Sequence, residues 1–174
     1  MRFTVRDYRP ADFDTLWAID QSCFDREIAY SRYELQVYLC RSRAFTLVAV
    51  SGEESSQFPS ASPLPESRPV NDQSILGFIV AESSRRGIGH IITIDVRSVA
   101  RRHHIGSGLL DGAENRLRAN CSAIRLETAV DNASAISFYK RHGYDVIKVI
   151  PHYYSNGLDA LLLEKNLLSV QPSS

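Results

Sequence analysis

Hydrophobic and polar positions along this chain fall into two repeating patterns, one of period two and one of period near 3.6. Phe3 and Val5 alternate with polar neighbours, which predicts a short first strand. Arg9-Pro10-Ala11-Asp12 leads into Phe13, Leu16, Trp17 and Ile19, a spacing that predicts a helix with Pro and Asp in its favoured first turn. A break follows over 23–29. Ser31, with Glu34 three residues on, reads as a capping box that opens a second helix through Leu35, Tyr38 and Leu39. β-Branched and aromatic residues predict strands over 45–50, 75–81 and 89–96, the last two joined by the basic turn Ser83-Ser84-Arg85-Arg86-Gly87. Ile105, Leu109, Ala113 and Leu117 then recur at helical spacing. A fifth strand over 123–130 precedes a helix over 133–142, capped by Asp131-Asn132 and ended by Gly143; strands over 144–150 and 158–164 close the pattern. The order predicts an α/β fold: one mixed, mostly antiparallel sheet of about seven strands with helices on both faces.

Residues 51–74 break the pattern. They hold four of the seven prolines, many serines and glutamates and almost no large apolar side chain, so they cannot bury enough surface to offset their ordering entropy. They are expected to form a disordered loop inside a hairpin, because the flanking strands need each other. The chain then reads as a single domain over 1–168 with a frayed tail at 169–174. Twenty basic and twenty acidic residues cancel, so no global field draws the chain to nucleic acid or an anionic membrane. No segment approaches the roughly 20 apolar residues of a membrane span. Cys23, Cys40 and Cys121 are scattered and odd in number, which argues for a reducing, cytoplasmic setting and against a disulfide framework or zinc site.

The chemistry concentrates where the strand ending at Val96 runs through Arg-Ser-Val-Ala-Arg-Arg-His-His into a helix at Ile105-Gly-Ser-Gly. A helix entrance presents unpaired N–H groups and the positive end of its dipole, which is an anion site whose usual occupant is phosphate. Arg101, Arg102, His103 and His104 add side-chain donors. Adjacent histidines lack the spacing of a metal site, so no metal is expected. Cys121 has no histidine partner placed for it, and reads as a buried thiol.

Residues 96–110, Leu126-Glu127-Thr128, Asp131-Asn132-Ala133-Ser134-Ala135-Ile136 and Phe138-Tyr139-Lys140-Arg141-His142-Gly143-Tyr144 together resemble the GNAT superfamily of N-acetyltransferases. With Tyr153-Tyr154 and Asp159-Ala160 near the end, the chain looks most like the ribosomal-protein-alanine (RimI-like) and protein N-terminal acetyltransferase branch. The resemblance covers residues 3–165 apart from the serine-proline insertion. It departs at one place: the family turn Arg/Gln-x-x-Gly-x-Gly/Ala has His104 where the first glycine belongs. A side chain there tests the backbone geometry, although histidine tolerates unusual angles better than a branched residue does.

The resemblance implies a splayed central strand pair and acetyl-CoA as cosubstrate. Its cofactor-binding set maps to Ile94, Asp95, Val96, Arg101, Arg102, His103, His104, Ile105, Gly106, Ser107, Gly108 and Asn132. The pyrophosphate would lie on the amides of 102–107, and the pantetheine would add to the strand edge at 94–96. The Val96 N–H is placed to stabilise an oxyanion. Glu127 carries over as general base, through water, and Tyr139 as acid. Tyr30, Tyr153 and Tyr154 fall in the loops that hold a peptide N-terminus in related enzymes. At neutral pH about a tenth of an α-amine is already neutral, against well under a hundredth of a lysine, so a weak base suits the former. The expected function is therefore acetylation of a protein or peptide N-terminus by direct attack in a ternary complex, by a monomer or weak dimer. Two alternatives stay open: acetylation of a small-molecule amine, and an acyl-CoA-binding regulatory module without turnover.

Overall fold

The apolar runs of the central strands bury both faces of one sheet. The computed structural model describes residues 1–24, 28–52 and 74–167. Its strands are β1 (Phe3–Asp7), β2 (Ala44–Ser51), β3 (Ile75–Ser83), β4 (Ile88–Val96), β5 (Ala123–Ala129), β6 (Asp145–Ile150) and β7 (Ala160–Asn166), ordered β1-β2-β3-β4-β5-β7-β6. The helices are α1 (Phe13–Cys23), α2 (Arg32–Leu39), α3 (Ile105–Leu117) and α4 (Ala133–Arg141). Every neighbouring pair is antiparallel except β4 with β5, which run parallel. That parallel register covers Ile88↔Ala123, Gly89↔Ile124 and His90↔Arg125, and from there the two strands part. The expected splay is therefore real: β4 runs on to Val96 and β5 to Ala129 with a gap between them.

Period-two alternation sorts side chains between the faces. On β2 and β3, Leu47, Ala49, Leu76, Ile79 and Ala81 join Leu109, Leu110 and Ala113 of α3 and Tyr139 of α4. Val48, Ile75, Phe78 and Val80 point the other way, against Leu16 and Ile19 of α1 and Leu35 of α2. A helix pair thus covers each face.

Local signals behave as their chemistry dictates. The Ser31 hydroxyl accepts from the Glu34 N–H at 3.2 Å while the Glu34 carboxylate accepts from the Ser31 N–H at 2.9 Å, a complete capping box. Gly143 takes φ +83 after α4, and the Tyr144 N–H donates back to the Tyr139 carbonyl at 3.1 Å, the bond that closes a helix C-terminus over a left-handed residue. Several boundaries move. The helix expected from Arg9 begins as a 3-10 turn over Pro10–Asp12, because the Asp12 carboxylate accepts from the Arg9 N–H (2.8 Å) and pairs with Arg6 (2.7 Å). The strand expected from Tyr144 begins at Asp145, because Tyr144 turns inward and donates to buried Glu114 at 3.0 Å. The last strand starts at Ala160, two residues later than expected. Of the loop expected at 51–74, residues 53–73 lie outside the described residues, as does the tail at 169–174. The ends of the loop meet, with the Ser51 N–H donating to the Ser74 carbonyl at 2.8 Å. Among the described residues no helix is long and apolar enough to cross a membrane.

Candidate active site

The turn entering α3 is held in a conformation that the sequence resists. Arg102 (φ 64) and His104 (φ 62, ψ 12) are both left-handed, and His104 is the N-cap of α3. His104 therefore adopts the backbone that a glycine would take at this position. The first helical bond runs from the Gly108 N–H to the His104 carbonyl at 2.9 Å, which leaves the amides of Ile105, Gly106 and Ser107 at the open helix end. Alternating left-handed residues fold such amides into a concave nest that suits an anion.

The nest forms one end of a cleft of about 780 Å³ between α3 and α4, within the size range of small-molecule sites. Arg101, Arg102 and Arg141 line it with His104 and His142. Asp95 also lines it, yet its carboxyl is 1% exposed and is held well above the usual carboxylate range, first by burial and then by the charge of Asp20. It therefore takes little positive potential away from the cleft. The Arg97 N–H donates to Leu76 of β3 at 2.9 Å, so the N–H and carbonyl of Val96 face the opposite way, into the splay. There the Val96 carbonyl accepts from Arg101 Nε at 3.2 Å and from the Cys23 thiol at 3.5 Å. This is an open strand edge with polar groups aimed at a cleft.

The two expected catalytic side chains lie on opposite faces of the sheet. Ile124 and Leu126 point to the α3/α4 side, so Glu127 points to the α1/α2 side, where His90 Nε2 meets its Oε2 at 2.7 Å and the Tyr153 phenol is raised by burial and then by the Glu127 charge. Tyr139 comes from α4 on the other face, 5% exposed and lining the cleft. Burial pushes its phenol far above the ordinary value, helped by Asp95 and Tyr154. It is thus a neutral hydrogen-bond donor throughout the usual pH range. Tyr30 packs its ring 5.0 Å from Tyr38, and its phenol is likewise raised, chiefly by burial. Tyr153 and Tyr154 pack edge to face at 5.1 Å, and burial followed by the Tyr153 and Glu127 charges pushes Tyr154 up to about 12. Tyr30 and Tyr153 therefore gather with Glu127 on the α1/α2 side of the splay, and Tyr154 sits against Tyr153 within reach of both Glu127 and Tyr139.

Of the expected cofactor-binding residues, Ile94, Asp95, Val96, Arg101, Arg102, His104, Ile105, Gly106, Ser107 and Asn132 line the cleft. His103 and Gly108 fall outside its lining. Gly108 serves packing, since a Cβ there would sit 2.8 Å from the Phe3 ring of β1. Asn132 lines the cleft while its side-chain oxygen accepts from the Ala135 N–H at 3.0 Å, capping α4. The cleft also gains residues not singled out from the sequence: Cys23, Phe24, Ser134, Phe138, Arg141 and His142. The α4 members share the helical spacing of Phe138 and His142, a face that carried no chemical signature. His142 Nδ1 lies 2.8 Å from the Phe138 carbonyl, which can only accept, so a neutral His142 accepts the Ser107 hydroxyl at Nε2 (3.1 Å). His90 was missed as well; its only trace in sequence is a polar residue out of phase with Ile91 on β4. Among the described residues no group of His, Cys, Asp and Glu is close enough together to hold a metal ion.

Comparison with known proteins adds to this geometry. The model of the acetyltransferase (GNAT) family matches residues 15–144. An uncharacterized N-acetyltransferase of Methanocaldococcus jannaschii is 42% identical over 96 residues, which is 54% of this chain and 61% of that protein. An N-alpha-acetyltransferase of Sulfurisphaera tokodaii is 38% identical over 77 residues, 43% of this chain and 46% of that one. The chain thus spans between about half and three fifths of the length of these curated relatives. The crystal structure of the ribosomal-protein-S18-alanine N-acetyltransferase from Escherichia coli superposes with a TM-score of 0.76 at 15% identity, covering 99% of both chains, which is a likeness of fold.

Proposed function

Because the chain belongs to the acetyltransferase (GNAT) family, we propose that it transfers an acetyl group from acetyl-CoA to the N-terminal α-amine of a protein or peptide, by direct attack within a ternary complex. The observation that carries the reading is the opposition of Glu127 and Tyr139 across the β4/β5 splay, beside an open strand edge that leads to an anion nest. The donor set suits the coenzyme: amides and guanidinium groups at one end for phosphates, and the open strand edge from Ile94 to the Val96 carbonyl at the other for an amide-bearing arm. Relatives of 38% identity that carry the name N-alpha-acetyltransferase support the choice of an α-amine.

Each side chain then has a defined task. Glu127 removes a proton from the acceptor ammonium, through water, to give the neutral amine that attacks. The Val96 N–H, facing the splay, donates to the oxygen on which negative charge develops. Tyr139, neutral at all working pH values, donates to the departing sulfur from the cleft side. Tyr30, Tyr153 and Tyr154 offer rings and hydroxyls to the acceptor's first residues. Base and acid reach the reacting carbon from opposite faces, so attack and departure do not compete for space.

The test is a panel of peptides differing only in their first residues, run beside free amines, with thiol release and product mass both measured. Turnover of peptides supports the reading. Turnover of small amines with no peptide acetylated overturns the choice of acceptor, and acetyl-CoA binding with no turnover of any amine overturns the enzyme.

A further inference from the structure

The basic turn Ser83-Ser84-Arg85-Arg86-Gly87 has no part in the cleft. It joins β3 to β4 at the far end of the sheet, since β4 runs nine residues, about 25 Å, from Ile88 beside the turn to Val96 at the cleft. The turn is pinned. The Ser84 hydroxyl accepts from the Arg86 N–H (3.3 Å) and the Ile88 N–H (3.1 Å), and the Gly87 N–H donates to the Ser84 carbonyl (3.2 Å). Arg85 and Arg86 therefore hold the two central corners of a β-turn, and both are exposed.

Two more turns meet this one. The Ser83 N–H donates to the Arg43 carbonyl at 3.1 Å, which sets the α2–β2 turn beside it. The Ser122 N–H donates to the Gly87 carbonyl at 2.8 Å, which sets the α3–β5 turn on the other flank. These turns bring Arg41, Arg43 and Arg118 to the same end, all exposed. Against the five arginines stands Glu82, whose two oxygens accept from Arg41 at 3.2 Å. Glu114 and Glu164, farther in, are bound to Lys165 and Arg125. Arg43, Arg85 and Arg86 have no ion pair among the described residues. With α2 and α3 each ending here on about half a negative charge, the balance at this end is about +3. The chain as a whole is neutral, so charges that cancel along the sequence are separated in space.

The cations are all arginine, whose planar fork takes two phosphate oxygens at once. The three turns carry no large apolar side chain, so they offer neither the apolar centre of a protein interface nor an anchor among lipid tails. They also lack an aromatic ring on which an unpaired base could stack. Exposed arginines on turns suit the outward-facing phosphates of a duplex. We propose that this end of the sheet docks on the phosphodiester backbone of a nucleic-acid duplex, without reading its bases. The docked protein keeps its cleft at the opposite end, open to its own ligand. The inference is independent of the proposed acetyl transfer.

The experiment titrates the full chain, with acetyl-CoA in excess to fill the anion nest, into labelled RNA and DNA duplexes of one sequence, and reads fluorescence anisotropy. Binding is expected in the micromolar range at about 50 mM salt, and contact with three or four phosphates weakens it roughly 40- to 150-fold by about 200 mM. Arg85→Gln combined with Arg86→Gln is expected to cut affinity at least ten-fold and to lower the salt slope by about two. The melting temperature and acetyl-CoA Kd of that variant are expected to hold, which shows an intact fold. Equal affinity for the two duplexes supports backbone docking; a preference above ten-fold supports it too and names the source. Absence of binding at about 100 µM protein in the lower salt overturns the inference, as does binding that the double variant leaves within two-fold. A single strand held ten-fold tighter than the duplex overturns the paired backbone. Phosphatidylserine vesicles or polyglutamate held as tightly as the duplex, with the same dependence on Arg85 and Arg86, overturn the choice of nucleic acid.

Discussion

His104 offers the sharpest test of how the anion nest works. At φ 62 and ψ 12 a residue with a Cβ sits in the left-handed region, which costs about 1–2 kcal/mol. His104→Gly removes that strain but adds about 0.5–1 kcal/mol of backbone entropy to be lost on folding. The net gain lies between zero and about 1.5 kcal/mol, or up to roughly 6 °C in Tm for a domain of this size. If the backbone amides of 105–107 bind the phosphate, losing the imidazole leaves the acetyl-CoA Kd within about three-fold, or tightens it. If instead the imidazole bonds the phosphate directly, its loss removes a charge-assisted hydrogen bond of about 1.5–3 kcal/mol and weakens Kd by more than ten-fold. Titration calorimetry with acetyl-CoA and a thermal melt on the same samples separate the cases. His104→Val is the counter-test: a branched residue cannot hold this backbone, so the turn opens and affinity falls about ten-fold. A ten-fold loss in the glycine variant, or none in the valine variant, refutes a backbone-led nest.

Further outcomes follow from the site and the core. Glu127→Gln and Tyr139→Phe are each expected to lower kcat about 10²-fold, and Glu127→Gln to leave the acetyl-CoA Kd within two-fold, read by steady-state kinetics and calorimetry. Asp20 is fully buried, accepts from the Tyr30 N–H at 2.9 Å, and has one carboxylate oxygen without a hydrogen-bond partner among the described residues. Burial raises its pKa from 3.8 to about 6. The native state therefore holds a proton that the unfolded chain releases, and stability falls as pH rises from about 4 to 6, by up to roughly 3 kcal/mol. Asp20→Asn keeps an acceptor for Tyr30 and removes this dependence, so its stability advantage in urea grows from near zero at pH 4 toward that figure at pH 7; a constant difference would refute the cause. Glu114, 4% exposed, joins Lys165 (2.5 Å) to Tyr144 (3.0 Å) beneath α3. Glu114→Ala strands both partners and is expected to cost about 3 kcal/mol by chemical denaturation, with a loss under 1 kcal/mol counting against it.

Much of the molecule was readable along the chain because its causes are local. The Ser31–Glu34 box, the left-handed Gly143 and the glycine-rich entrance to α3 each depend on residues within about four positions of one another. The period of burial on β2 and β3 needs only the alternation of their own side chains. Boundaries went astray where a distant partner intervened. Tyr144 reads as a strand residue until Glu114, 30 positions away, draws its hydroxyl into the core. Gly108 reads as part of the nest until Phe3 of β1 is found against it.

The sequence by itself determined the element order and the turn that enters α3, since helix entrances and strand alternation are written in short windows. The tertiary structure decided what the side chains around that turn can do. Strand order set β4 beside β5 and let the pair part after His90, which opens a route from one face to the other. It placed Glu127 against His90, 37 residues apart, and buried Asp20 and Asp95 near enough to raise the Asp95 carboxyl. Proximity across strands, and the exclusion of water that shifts a proton affinity, come from register and packing over the whole sheet, and no local pattern encodes them.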